Sequence, residues 1–200
     1  MDLFTTYIQR NKDETIADNI LQPCKEILSN VSEDDRYKYG KTSFFNKRIW
    51  DNYSNKFQEL YDFIYQNAFA YCQKLQILNV DKIAIESIWV SEMYKHGQHK
   101  VHGHAGHCDL SGNFYVHIDP NSADIIFHRY EFLNDPNGNF NFKEYNQYNS
   151  NEWRFPAEKG NILIWKSDLP HSVDLNMSKS RIAISFNLKL ITETNYRTHK

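Results

Sequence analysis

Cysteine is scarce in this chain of 200 residues and poorly placed for cross-linking. Cys24, Cys72 and Cys108 are odd in number, widely spaced and without a CxxC pair. That excludes a disulfide framework and fits a reducing cytosol. The opening "MDLFTTYIQRNKDE" lacks the basic-then-apolar order of a secretory signal, and no apolar run approaches the length of a membrane span. A dense basic block is missing too: 23 Lys and Arg stand against 25 Asp and Glu, for a net charge of −2. Such a balance argues against nucleic acid as a partner, because that affinity rests on neutralising phosphates. There is no internal repeat and no linker. The expectation is one cytoplasmic domain over residues 1–200, off the membrane.

What is present points to a packed fold. The hydrophobic share is 40% and the aromatic share 15%, enough to form a core. "DETIADNILQPCKEILSN" sets Ile16, Ile20 and Leu21 on a helical stripe, with Pro23 expected to break or kink it. "SNKFQELYDFIYQNAFAYCQKLQIL" repeats the pattern more strongly from Phe57 to Leu75, with Ser54 as the expected cap. After residue 80 the period changes to two. "KIAIESIWVSEMY", "SGNFYVHI", "ADIIFHRY", "GNILIWKS" and "RIAISFNLKL" all read as strands. Helices followed by many short strands predict an α+β domain, mainly helical over 1–80 and a β core over 81–193. Residues 133–158 read as a long polar loop carrying Phe140, Phe142, Tyr145, Tyr148 and Trp153. A loop of that length in a compact domain is more often functional than incidental.

Five of the nine histidines (His96, His99, His102, His104 and His107) crowd into "YKHGQHKVHGHAGHCDLSG". In extended chain, residues two apart share a side, so His102 and His104 make a bidentate metal face. Imidazole alone does not select among Fe, Zn, Cu and Ni. His96 and His99 read as solvated loop residues, and His117 and His128 as strand residues satisfied by packing. A further candidate ligand, His171, follows a buried-looking strand and a proline-marked turn. Ten residues on, Arg181 opens "RIAISFN", where alternation sets Arg181, Ala183, Ser185 and Asn187 on one face. Burying that polar face is costly without a ligand, and a carboxylate suits the guanidinium fork. Tyr115 shares a face with Ser111, Asn113 and His117, so its hydroxyl is a candidate for the same carboxylate.

These pieces resemble the Fe(II)/2-oxoglutarate-dependent oxygenases, in particular a small branch with the pattern HxH…LSGxxY…H…RIxISFN. The matching stretches are "IWVSEMYKHG", "VHGHAGHCDLSGNFYV", "GNILIWKSDLPH" and "RIAISFNL", in that order, across roughly residues 85–190. The resemblance implies a double-stranded β-helix, a jelly-roll barrel with helices packed outside and the ligands at its open end. It implies Fe(II) on His102, His104 and His171, and 2-oxoglutarate held through its far carboxylate by Arg181 with Ser185, Tyr115 and Asn187. Oxidative decarboxylation of the cosubstrate to succinate and CO2 would accompany hydroxylation of a peptidyl or small-molecule substrate.

The chain departs from the common His-x-Asp/Glu pattern, because His102-Gly-His104 ends in histidine. His107-Cys108-Asp109 spells the common pattern literally, which leaves Asp109 open as an alternative ligand or as a charge-balancing neighbour. "His104-Ala-Gly106" is similar to the halogenases, where a small residue leaves room for chloride. Two other classes stay open: a non-catalytic jelly roll that holds metal or serves structure, and a three-histidine dioxygenase that does not use 2-oxoglutarate.

Overall fold

The computed structural model describes residues 6–32, 34–129 and 142–192. Helix α1 (Glu14–Ser29) is capped by Asp13, whose carboxylate accepts from Thr15 N and Ile16 N. Pro23 does not break it. The carbonyl that Pro23 leaves without a helical partner belongs to Asn19, an exposed residue open to solvent. The buried stripe from Ile16 to Leu28 supplies the packing that keeps the helix continuous. After α2 (Lys47–Asp51), Ser54 does not cap the next helix. It opens a 3-10 turn, Ser54–Phe57, and donates back to Asp51 O; α3 (Gln58–Lys74) begins afterwards. Leu60, Ile64, Ala68, Tyr71 and Cys72 are buried as the stripe requires, whereas Leu75 is exposed beyond the helix end.

The strands are β1 (Gln9–Lys12), β2 (Gly40–Thr42), β3 (Val80–Met93), β4 (His99–His102) and β5 (Leu110–Ile118), then β6 (Ile125–His128), β7 (Glu152–Phe155), β8 (Asn161–Lys166), β9 (His171–Val173) and β10 (Arg181–Thr192). They form a six-stranded sheet in the order β1-β8-β5-β10-β3-β2 and a four-stranded sheet in the order β4-β9-β6-β7. Every pairing is antiparallel. This is the double-stranded β-helix that the sequence leads one to expect, with helices on one side. The N-terminal part is less purely helical than its periodicity suggests, because β1 and β2 close the two edges of the larger sheet.

Alternation along β10 divides the molecule into two cores. Ile182, Ile184, Phe186 and Leu188 meet the helices. Ala183 faces the other sheet, with Tyr115, Leu163 and Trp165 against Ile125 and Phe127. A bulge lies where β10 meets β3, between Asn187 and Leu188. The expected loop over 133–158 contains strand β7, so Trp153 is a strand residue paired with Phe127; Phe140 and residues 133–141 lie outside the described residues.

Gly112 shows how tight the helix-side core is. A Cβ there would meet the Phe186 ring at 2.3 Å and Leu163 O at 2.9 Å. Neither can yield easily, since one is a buried ring and the other backbone. Gly112→Ala is therefore expected to destabilise the fold by about 1–3 kcal/mol, the usual cost of overpacking. Urea unfolding checks this, and an unchanged midpoint would contradict it.

Candidate metal and cosubstrate site

Pairing brings one row of side chains across the inner face of the smaller sheet. His102 on β4 lies opposite His171 on β9, His171 opposite Phe127 on β6, and Phe127 opposite Trp153 on β7. Residues directly opposite in a ladder share a face. Two residues beyond His102 the chain turns, and His104 N donates to Ser167 O at 2.8 Å, which swings its ring to the same place. The nitrogens of His102, His104 and His171 that face one another all lie within 4.8 Å. The set grades from exposed His102 through His104 to buried His171, so one side of the cluster opens to solvent.

The second nitrogen of each ring fixes its tautomer. His102 Nδ1 is 2.8 Å from Lys100 O and His171 Nδ1 is 2.9 Å from Leu169 O. A carbonyl only accepts, so both Nδ1 atoms carry hydrogen and both Nε2 lone pairs are free for a metal. His104 Nδ1 meets Asn187 Oδ1 at 2.7 Å; that oxygen also accepts from Ser111 Oγ, and Asn187 Nδ2 donates to Ser87 Oγ. Burial pushes the pKa of His171 down to about 3 and also lowers that of His104. At neutral pH these imidazoles are uncharged, the state in which they bind metal.

Three expectations are corrected here. Asn187 does not face a cosubstrate: its carboxamide is taken up by His104, Ser111 and Ser87. Asp109 is not in the cluster. It sits where β5 begins, and its carboxylate accepts from Leu190 N at 2.7 Å, closing the end of the β10 ladder. His99 is no solvated loop residue: it lies in β4 against Tyr37, ring centroids 5.5 Å apart, and burial pushes its pKa to about 4. His96 and His107 are exposed, as a loop position implies. His117 pairs with Asp119 and His128 with Ser172, so neither joins the cluster. Gly106 lies in an exposed turn at φ +80°, and His104 itself completes the set, so no halide-sized gap replaces a ligand.

Deeper between the sheets lies a different chemistry. Arg181 is 4% exposed, donates through Nε to Ala123 O at 3.0 Å, and has one terminal nitrogen without a partner. Its Cζ stands 5.0 Å from the centre of the Tyr115 ring, and the Tyr115 hydroxyl is buried and also unpartnered. Burial raises the pKa of that hydroxyl, while the Arg181 charge opposes the rise. Asn113 Oδ1 is a further buried atom without a partner. Ser185, half-buried on the face it shares with Arg181, lies opposite Asn113 in the pairing of β10 with β5. Among the described residues no carboxylate pairs with this guanidinium, and a buried charge left so costs several kcal/mol. Its unmet donor, beside an unmet hydroxyl, fits one end of a dicarboxylate.

Residues 87–187, just over half of the chain, match the family described as "Putative 2OG-Fe(II) oxygenase". The chain belongs to the 2OG-Fe(II) oxygenases. It is an Fe(II)- and 2-oxoglutarate-dependent oxygenase. No curated protein matches it in sequence. Solved structures share the fold at low identity. A prolyl-4-hydroxylase from Pseudomonas putida is 12% identical, with a TM-score of 0.58 over 95% of this chain and 96% of that one. A prolyl hydroxylase from Trichoplax adhaerens, in complex with a hypoxia inducible factor peptide fragment, is 13% identical, with a TM-score of 0.59 over 98% and 88%. HygX from Streptomyces hygroscopicus, with nickel, 2-oxoglutarate and hygromycin B bound, is 9% identical, with a TM-score of 0.56 over 92% and 83%.

Sequence reasoning missed Ser87 and Ser111, which fix the His104 ring through Asn187. Serines in alternating strands carry no signal of that role until the register is known.

Proposed function

We propose that this oxygenase hydroxylates a peptidyl or small-molecule substrate from a centre held by three histidines, and that the orphaned Arg181 guanidinium carries the cosubstrate assignment. His102, His104 and His171 would hold the iron through Nε2, each kept in the right tautomer by its Nδ1 hydrogen bond. Arg181 and Tyr115 would hold the far carboxylate of 2-oxoglutarate, with Ser185 beside them on the same face. When bound, iron and 2-oxoglutarate supply oxygen activation coupled to loss of CO2 and formation of succinate.

The protein's own part is placement and dryness. Phe127 and Trp165 pack against His171, with ring centroids 6.2 and 4.9 Å away, and close the inner side of the cluster. Exposed His102 leaves the outer side open to a substrate. Trp153, on the same row and 42% exposed, offers an aromatic rim there, and exposed Tyr145 and Tyr148 come from the segment that leads to it. Aromatic edges of this kind suit a peptide side chain or a ring, and the net charge of −2 does not suit a duplex. The molecules bound in two of the similar structures, a hypoxia inducible factor peptide fragment in one and hygromycin B in the other, support the same classes.

The rival readings leave Arg181 unexplained. A structural barrel has no need of a buried unpaired charge, and a three-histidine dioxygenase without 2-oxoglutarate gives it no anion. Aerobic incubation of the Fe(II)-loaded protein with 2-oxoglutarate tests the point. Expected is consumption of oxygen with matching formation of succinate, both stopped by chelating the metal. Oxygen uptake without succinate would overturn the 2-oxoglutarate assignment.

A further inference from the structure

Strand β2 pairs with β3 only from Ser91 to Met93, and beyond it Ser43 takes up both backbone groups of Val90. From Trp89 back to Val80, no strand among the described residues pairs with that outer edge of β3. The chain runs on from β2 through Phe44 and Phe45 and packs back against β3 as α2. A cavity of about 200 Å³ lies there, with Phe44, Trp50, Asp51, Glu86, Ser87 and Trp89 in its walls.

Those walls combine two chemistries. Phe44, 44% exposed, packs edge-on against Trp89 with ring centroids 5.0 Å apart. Trp50 stacks on Phe57 and donates Nε1 to the Tyr61 hydroxyl at 2.8 Å, so its polar atom is engaged elsewhere. The carboxylates are Asp51, at the end of α2, and Glu86. Ser87 pairs with Asn187 and Ile85 with Leu188, so Glu86 is the extra residue of the bulge, outside the alternation of β3 and exposed. Neither carboxylate forms an ion pair among the described residues, and no lysine or arginine lines the cavity.

Ser87 joins this cavity to the metal site. It accepts from Asn187 Nδ2 at 3.0 Å, and Asn187 Oδ1 holds His104 Nδ1 at 2.7 Å. Trp89 lies opposite Ser185, on the inner face of the larger sheet. Aromatic rings beside unpaired carboxylates favour a cation. A guanidinium suits both, since it stacks on rings and presents a fork to carboxylates. The same stretch of chain already holds one such group, with Arg36 Cζ 3.7 Å from the centre of the Phe45 ring. The volume falls below the roughly 300–1,000 Å³ of a whole small-molecule site, so the cavity takes one side chain of a larger substrate. The open edge of β3 beside it offers backbone groups to an extended peptide.

We infer that this cavity is a substrate subsite for an arginine side chain of a peptide. Glu86 and Asp51 pair with the guanidinium, and Phe44 and Trp89 flank it. The inference rests on the peptidyl reading of the substrate given above and narrows it.

The test follows the tryptophan indole N–H signals by NMR, in the full chain loaded with Zn(II), during titration with acetyl-Gly-Arg-Gly-amide. The comparison peptide carries citrulline, which keeps the shape of arginine without its charge. Expected are saturable shifts at Trp89 and Trp50, with the citrulline peptide about tenfold weaker. Glu86→Gln and Asp51→Asn should each weaken the arginine peptide about threefold, as should Phe44→Leu. Both carboxylates are exposed, so their variants should unfold at the temperature of the parent. Equal binding of the two peptides, or shifts confined to Trp153 and Trp165, would overturn the inference. Unchanged arginine binding in the Glu86→Gln, Asp51→Asn double variant would leave the carboxylates as guards of an open edge and overturn it too. Calorimetric titration of the same sample with 2-oxoglutarate separates the two readings. Cosubstrate binding without peptide binding would overturn the subsite alone. Peptide binding without cosubstrate binding would overturn the 2-oxoglutarate reading, and with it the role as a substrate subsite.

Discussion

Arg181→Gln is expected to raise the Kd for 2-oxoglutarate at least about thirtyfold, because removing one partner of a buried, hydrogen-bonded charge pair costs about 2 kcal/mol or more. The glutamine keeps much of the side-chain volume, so the loss isolates charge and fork geometry. The more telling half of the result concerns the protein without ligand. In that state Arg181 is buried, forms no ion pair among the described residues and leaves one nitrogen unmet there. Taking the charge away should not lower stability and should raise it, since an uncompensated buried charge works against folding. An arginine that only held the barrel together would behave the opposite way, with a lower unfolding midpoint and no selective effect on 2-oxoglutarate.

The second large effect is on the metal. His102→Ala and His171→Ala should each lower Fe(II) affinity by at least about a hundredfold, given that loss of an outer-shell partner alone costs 10–100-fold. The two variants should differ in the metal-free protein. His102 is exposed on the rim, so its truncation leaves the apoprotein about as stable as before. His171 is 5% exposed between Phe127 and Trp165, so its truncation opens a cavity and costs on the order of 2 kcal/mol. Metal titration paired with thermal unfolding checks both. Undiminished metal binding in either variant would remove that residue from the ligand set.

How much of this was legible in the chain depends on the length of the pattern. The alternation of "RIAISFN" separated Arg181, Ser185 and Asn187 from the helix-facing residues without error, because β10 runs far enough for a period of two to show. His102 and His104 meet for a different reason: β4 ends at His102, and the turn beyond it, held by His104 N on Ser167 O, brings the second ring to the same place. Strands of three or four residues, such as β1, β2 and β9, carry too few positions for any period, and their pairing comes from the sheet rather than from local preference. The break expected at Pro23 does not occur, because the buried stripe continues past it through Cys24, Ile27 and Leu28. Asn187 was placed on the right face, but which polar group it would meet depended on where the turn after β4 brought His104.

The most direct test is anaerobic titration of the Fe(II)-loaded protein with 2-oxoglutarate, following the weak visible charge-transfer absorption of the metal chelate. A saturable band, absent in His171→Ala and reached only at much higher cosubstrate in Arg181→Gln, is the expected result. No band from folded protein that holds its iron would contradict the joint assignment of the three histidines and Arg181.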